Sequence, residues 1–144
     1  IEYNVRMGDP ECQTILPKLK NDLLDVIKSC IDKKLNTIDL EWHESKSLCV
    51  VLCSKGYPDK FENNNQIENL KKLEINLSKD EFIFHASTKI LDNKVFSNGG
   101  RVLNFVKKSE SFKKSREDVL SLIKDLNWSK SFYRKDIGHK VIDK

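Results

Sequence analysis

Apolar residues along the chain change their spacing twice, and the changes divide it into three regions. In Ile1–Arg6 they alternate: Ile1, Tyr3 and Val5 fall on one side, Glu2, Asn4 and Arg6 on the other, as expected of a β-strand. Gly8-Asp9-Pro10 then turns the chain. Leu16, Leu19, Leu23, Ile27, Cys30 and Ile31 recur at helical spacing, with Pro17 tolerated near a first turn, and predict one helix to about Lys34. From Thr37 the pattern becomes that of short strands. Ile38–Trp42 and Ser47–Cys53 are β-rich runs, and Gly56-Tyr57-Pro58 turns the chain out of the second. Phe61–Leu77 is polar and reads mostly as loop, with a short apolar segment at Ile67–Leu70. Glu81–Ile90 and Lys94–Lys107 predict further strands joined through Asp92-Asn93. Phe112, Val119, Leu120, Ile123 and Leu126 mark a helix that Ser111 can cap, before a final short strand. Several strands, one main helix and a last strand predict an α+β unit on an antiparallel sheet or partial barrel.

Composition narrows the function. At 144 residues, 33% of them charged, the chain can bury one ordinary core. No apolar run approaches a membrane span. The net charge of +4 is scattered, without the basic stripe and interleaved aromatics of a nucleic-acid binder. Cys12, Cys30, Cys49 and Cys53 have no zinc spacing. Cys49 and Cys53 would sit roughly 13 Å apart on one strand, so packed, reduced thiols in a cytoplasmic protein are expected.

Of the 26 basic residues only four are arginine: Arg6, Arg101, Arg116 and Arg134. Where lysine is used almost everywhere, arginine suggests a need for its planar fork. Arg116 falls in a polar helical stretch and reads as an ordinary surface residue. Arg134-Lys135 before Gly138 could anchor a phosphate, or form a plain basic surface pair. Asn98-Gly99-Gly100 supplies a tight turn, or lets backbone and Arg101 approach a ligand. On a strand, Glu2, Asn4 and Arg6 would lie about 6.7 Å apart in sequence on one face. A carboxylate and an amide oxygen are hard ligands that Mg²⁺ accepts beside phosphate, and Arg6 suits an anion; an edge strand facing water is the alternative. His43 and His85 read as structural and His139 is open.

The segment Glu2-Tyr3-Asn4-Val5-Arg6-Met7-Gly8-Asp9-Pro10-Glu11-Cys12-Gln13, followed in order by Gly56-Tyr57-Pro58, Phe84-His85-Ala86, Asn98-Gly99-Gly100-Arg101-Val102-Leu103 and Phe132-Tyr133-Arg134-Lys135-Asp136-Ile137-Gly138, resembles the phosphoribosylamine–glycine ligase family of the ATP-grasp superfamily. The resemblance covers nearly the whole chain but only the C-terminal third or so of such a ligase. It departs at Met7, Cys12 and Ser87. It implies that residues 1–36 close an ATP-grasp domain with a strand and a helix, and that residues 37–144 form the small C-terminal β-rich domain. No glycine-rich phosphate loop or nucleotide clamp is found, so the chain is expected to be part of a larger cytoplasmic enzyme of purine biosynthesis and inactive alone. Without the rest, the apolar stripe of the first helix would be an exposed patch.

The resemblance further implies a role for each candidate. Glu2 and Asn4 would hold Mg²⁺ or Mn²⁺, with ATP as co-substrate. Arg6 would hold the glycine carboxylate and then the acyl phosphate, and Asp9 would attract an amine of glycine or of 5-phosphoribosylamine. Arg101 would face the substrates, and Arg134 and Lys135 would take the sugar phosphate. Another ATP-grasp ligase or carboxylase, or a non-catalytic β-rich binding module, is the alternative.

Overall fold

A computed structural model describes residues 3–142. Its centre is a four-stranded antiparallel sheet in the order β2-β5-β1-β6, built from β1 (Lys46–Ser54), β2 (Glu81–His85), β5 (Arg101–Ser109) and β6 (Ser131–Phe132). The Asp92-Asn93 turn is where expected, but the runs Glu81–Ile90 and Lys94–Lys107, each read as one strand, are both broken, so that β3 (Thr88–Leu91) and β4 (Lys94–Ser97) form a separate hairpin. Both turn residues have positive φ, 47° and 60°, which Asp and Asn tolerate and which matches the twist of a two-residue hairpin. Most of the α+β organisation expected from the pattern is therefore present, around the long helix α4 (Phe112–Leu126).

One face of the sheet makes the core. In the β1–β5 register Val50 lies opposite Phe105 and Leu52 opposite Leu103, and all four are almost wholly buried. Val119, Leu122, Ile123 and Leu126 of α4 close over them, with Leu70 from the short helix α3 (Leu70–Ile75). Each such side chain contributes about 1.5–3 kcal/mol relative to exposure. The Ser111 hydroxyl accepts from the Lys114 N–H at 3.1 Å and starts α4 where the sequence places it. Asn127 stops it in the left-handed conformation, φ 50°.

The N-terminal region departs from expectation. Tyr3–Arg6 is not a strand, and Tyr3 and Val5, expected on a core face, are 91% and 101% exposed. The single helix to Lys34 is two: α1 (Glu11–Ile15), prolonged by a 3₁₀ turn over Leu16–Lys18, and α2 (Leu23–Ile31). Between them Leu19 bridges to Trp42, and Asp22 caps α2 by accepting from the Leu24 N–H at 2.7 Å. A local cap and a tertiary pairing here override a continuous apolar period. Ile38–Trp42 is no strand beyond that isolated bridge, although Asp39 and Glu41 exchange hydrogen bonds with Lys20 and Asn21, and Phe61–Leu77, read as mostly loop, contains α3.

α1 and its 3₁₀ turn lie across the second face of the sheet. Lys108, 8% exposed, fastens them there: its ammonium donates to the Pro17 carbonyl at 2.9 Å, pairs with Asp80 at 3.5 Å and stands 5.5 Å over the Phe82 ring. This strap carries the Gly8–Pro10 loop to the rim of the groove described next.

Candidate functional site

Beside the strap, the second face of β1 forms the floor of an apolar groove of about 430 Å³, lined there by Cys49, Val51 and Cys53. Pro10, the Tyr57-Pro58 turn, Phe132 and Ile137 make its walls, and Arg101 and Arg134 contribute the charge. Arg101 reaches this face through an irregularity. β1 and β5 pair regularly to Leu52↔Leu103, but the next pair is Cys53↔Arg101, so Val102 is an extra residue. Regular alternation would set Val102 opposite Cys53 and send Arg101 to the other face; the bulge reverses this.

Arg101 then meets Asp9, 92 positions earlier. Its Nη1 donates to the Asp9 carbonyl at 3.1 Å, and its Nη2 pairs with the Asp9 carboxylate at 3.5 Å. Asp9 also accepts from Gln13 Nε2 at 2.8 Å, within the strap. Gly100, beside Arg101, is required by packing: a Cβ there would stand 2.2 Å from the Tyr57 ring. The two glycine-bearing motifs thus interlock, and the glycine serves the neighbouring turn.

Arg134 faces the groove from the turn after β6. Its fork grips Asp136 through Nε at 3.1 Å and Nη2 at 2.6 Å, holding the Asp136 carboxyl below the usual carboxylate range and the Arg134 guanidinium above its own. Lys135 is exposed and is not part of the groove wall. Arg116, expected to be an ordinary surface residue, is half-buried and donates into this same turn, to the Ile137 and Lys135 carbonyls. Its rarity in a lysine-rich chain was the available signal; the polar helical setting hid it.

The remaining candidates stand apart. Arg6 donates to the Asn4 amide oxygen, and both are exposed and do not line the groove. Glu2 lies outside the described residues. Among the described residues no group of three His, Cys, Asp or Glu could hold a metal. His85 bridges Thr88 at 2.7 Å and Glu74 at 2.8 Å, and His139 donates from Nδ1 to the Asp136 carbonyl at 2.7 Å. All four cysteines are free thiols, but Cys30 is exposed rather than packed. Burial, reinforced by the Asp9 charge, pushes the Cys49 thiol up to about 12. Burial also raises Cys53, with Arg101 opposing. The groove floor therefore presents neutral thiols, not nucleophiles.

A family model described as phosphoribosylglycinamide synthetase, C domain, matches residues 47–140. The chain belongs to this family. The matched span holds the groove floor, the bulge at Val102, α4 and the Arg134 turn. A phosphoribosylamine–glycine ligase of Fusobacterium nucleatum is 44% identical over 96% of the chain and 32% of that protein. One from Halalkalibacterium halodurans is also 44% identical, over 99% of the chain and 32% of its own length. A crystal structure of a phosphoribosylamine–glycine ligase from Thermotoga maritima superposes with a TM-score of 0.68 at 28% identity, over 96% of the chain and 33% of that molecule. The chain thus spans about a third of the length of the relatives it matches.

Proposed function

We propose that this chain forms the C-terminal part of an ATP-dependent ligase that joins glycine to 5-phosphoribosylamine in purine biosynthesis, giving glycinamide ribonucleotide, ADP and phosphate. The observation that carries the reading is that Arg101 and Arg134 line one apolar groove while Asp9 is held to Arg101 beside it, the three residues coming from family motifs far apart in sequence. In this reading residues 1–36 belong to the ATP-grasp domain and residues 37–144 to the C-terminal domain. The bare apolar stripe of α2, including Leu24, Ile27 and Ile31, supports a large unit packing upon it.

Asp9 would attract an amine, and its pairing with Arg101 ties down the loop that carries it. Arg134 would receive the sugar phosphate in exchange for the Asp136 carboxylate now in its fork, and Lys135 would add a point charge from outside the groove. Arg6 would hold the glycine carboxylate and the acyl phosphate made from it. The donors for Mg²⁺ or Mn²⁺ fit in kind but are incomplete among the described residues: Asn4 brings one hard oxygen, shared with Arg6, and Glu2 and an upstream carboxylate would complete the set. Such a metal, when bound, neutralises phosphoryl charge.

The test is Arg134→Ala in the full-length ligase. Affinity for ribosylamine should fall by about 1.5–3 kcal/mol, the scale of a hydrogen bond to a charged group, with ATP and glycine barely affected. An unchanged KM for ribosylamine would remove Arg134 from the site, and no ligation by the full-length enzyme would remove the function.

A further inference from the structure

The Arg134 turn is held by a second arginine that does not touch the groove. Arg116, in the second turn of α4, donates from Nε to the Ile137 carbonyl at 2.9 Å and from Nη2 to the Lys135 carbonyl at 2.5 Å. Among the described residues, these are the hydrogen bonds that tie residues 134–138 to an earlier element. The others run inside the turn, from Arg134 to Asp136, or forward to His139, Val141 and Ile142. Ile137 and Tyr133 pack against the core, which sets the depth of the turn but not the direction of its peptide planes. Gly138 closes the turn at φ +83°, pressed so tightly that a Cβ would stand 2.8 Å from a Leu48 methyl and 3.8 Å from Arg116 Cδ.

We infer that Arg116 is a positioning residue, which orients the 134–138 turn so that the Arg134 guanidinium is presented at the groove. This rests on the reading of Arg134 as the anion-gripping group. The geometry explains why arginine stands here. One planar fork addresses two carbonyls two residues apart and so fixes two peptide planes at once, whereas the ammonium of lysine would bring a single point charge. The foundation is firm: α4 is capped by Ser111 and buries Ser115 and Val119 on either side of Arg116. The Arg134–Asp136 pair is local to the turn, so it holds the fork's shape but cannot place the turn against the fold.

Two measurements on the full-length ligase decide this. Hydrogen exchange of the Arg116→Ala variant should be faster across residues 134–138 and unchanged in β1 and β5; unchanged exchange in the turn overturns the inference. Kinetically, Arg116→Ala should raise the KM for ribosylamine about tenfold with those for ATP and glycine unmoved, and Arg116→Lys should recover part of the loss. In an Arg134→Ala background the Arg116→Ala change should add nothing to that KM, because it acts through Arg134. Additive effects, or an equal rise of all three KM values, overturn the inference. If Arg134→Ala alone leaves the ribosylamine KM unchanged, the phosphate reading of Arg134 falls by itself, and the exchange result still decides for or against Arg116 as the brace.

Discussion

Arg101 faces the groove because β5 carries one extra residue, Val102, at the end of its pairing with β1. No periodicity in the sequence marks such a bulge, since Arg101-Val102-Leu103 reads equally well with either residue outward. Cys49, on the same floor, illustrates a second effect decided by surroundings. Its thiol has an ordinary value of 9.0 and is pushed up to about 12 by burial and by Asp9. For an acid raised on folding, the unfolded chain loses its proton first as pH rises. This contribution to stability is therefore intact below about pH 9 and lost progressively towards pH 12. Denaturant titrations should show that decline, and Cys49→Val should flatten it. At pH 8 iodoacetamide should modify exposed Cys30 well before Cys49 or Cys53. Modification of Cys49 as fast as Cys30 would mean that the strap opens freely.

At the scale of elements, α4 and β1 sit where their patterns predict, helped in α4 by the Ser111 cap, whereas the run Lys94–Lys107, read as one strand, is divided between β4 and β5 in different sheets. The break between α1 and α2 was hidden, because Leu16, Leu19 and Leu23 continue a helical period straight through it. Asp22, a capping residue in the middle of that period, was the only local clue. The stripe of α2 yields its own prediction. Ile31 is 74% exposed, so Ile31→Lys should change the stability of this 144-residue chain by no more than about 0.5 kcal/mol, as for other surface sites. In the full-length ligase the same change should lower the melting temperature by several degrees, because a charge would enter an interface. Equal melting shifts in both proteins would show that nothing covers the stripe.

For the whole molecule, the charge at the groove comes from Arg101 and Arg134 among the described residues, and the sequence carries no glycine-rich phosphate loop. The 144-residue chain alone should neither hydrolyse ATP nor form glycinamide ribonucleotide. A steady-state assay with ATP, glycine and ribosylamine checks this, and turnover by the isolated chain would contradict the proposed division of labour. By itself the sequence determined the family, through five ordered motifs, and the main strands and helix, through local period, cap and turn chemistry. It also singled out Arg6, Arg101 and Arg134, and passed over Arg116 as an ordinary surface residue. The tertiary structure alone decided what Arg101 and Arg116 touch. Arg101 depends on a one-residue bulge and Arg116 on carbonyls 19 and 21 positions away, while the Asp9–Arg101 pair joins segments 92 positions apart. Such contacts depend on how finished elements pack, and side-chain spacing along one segment carries no information about the backbone groups of another.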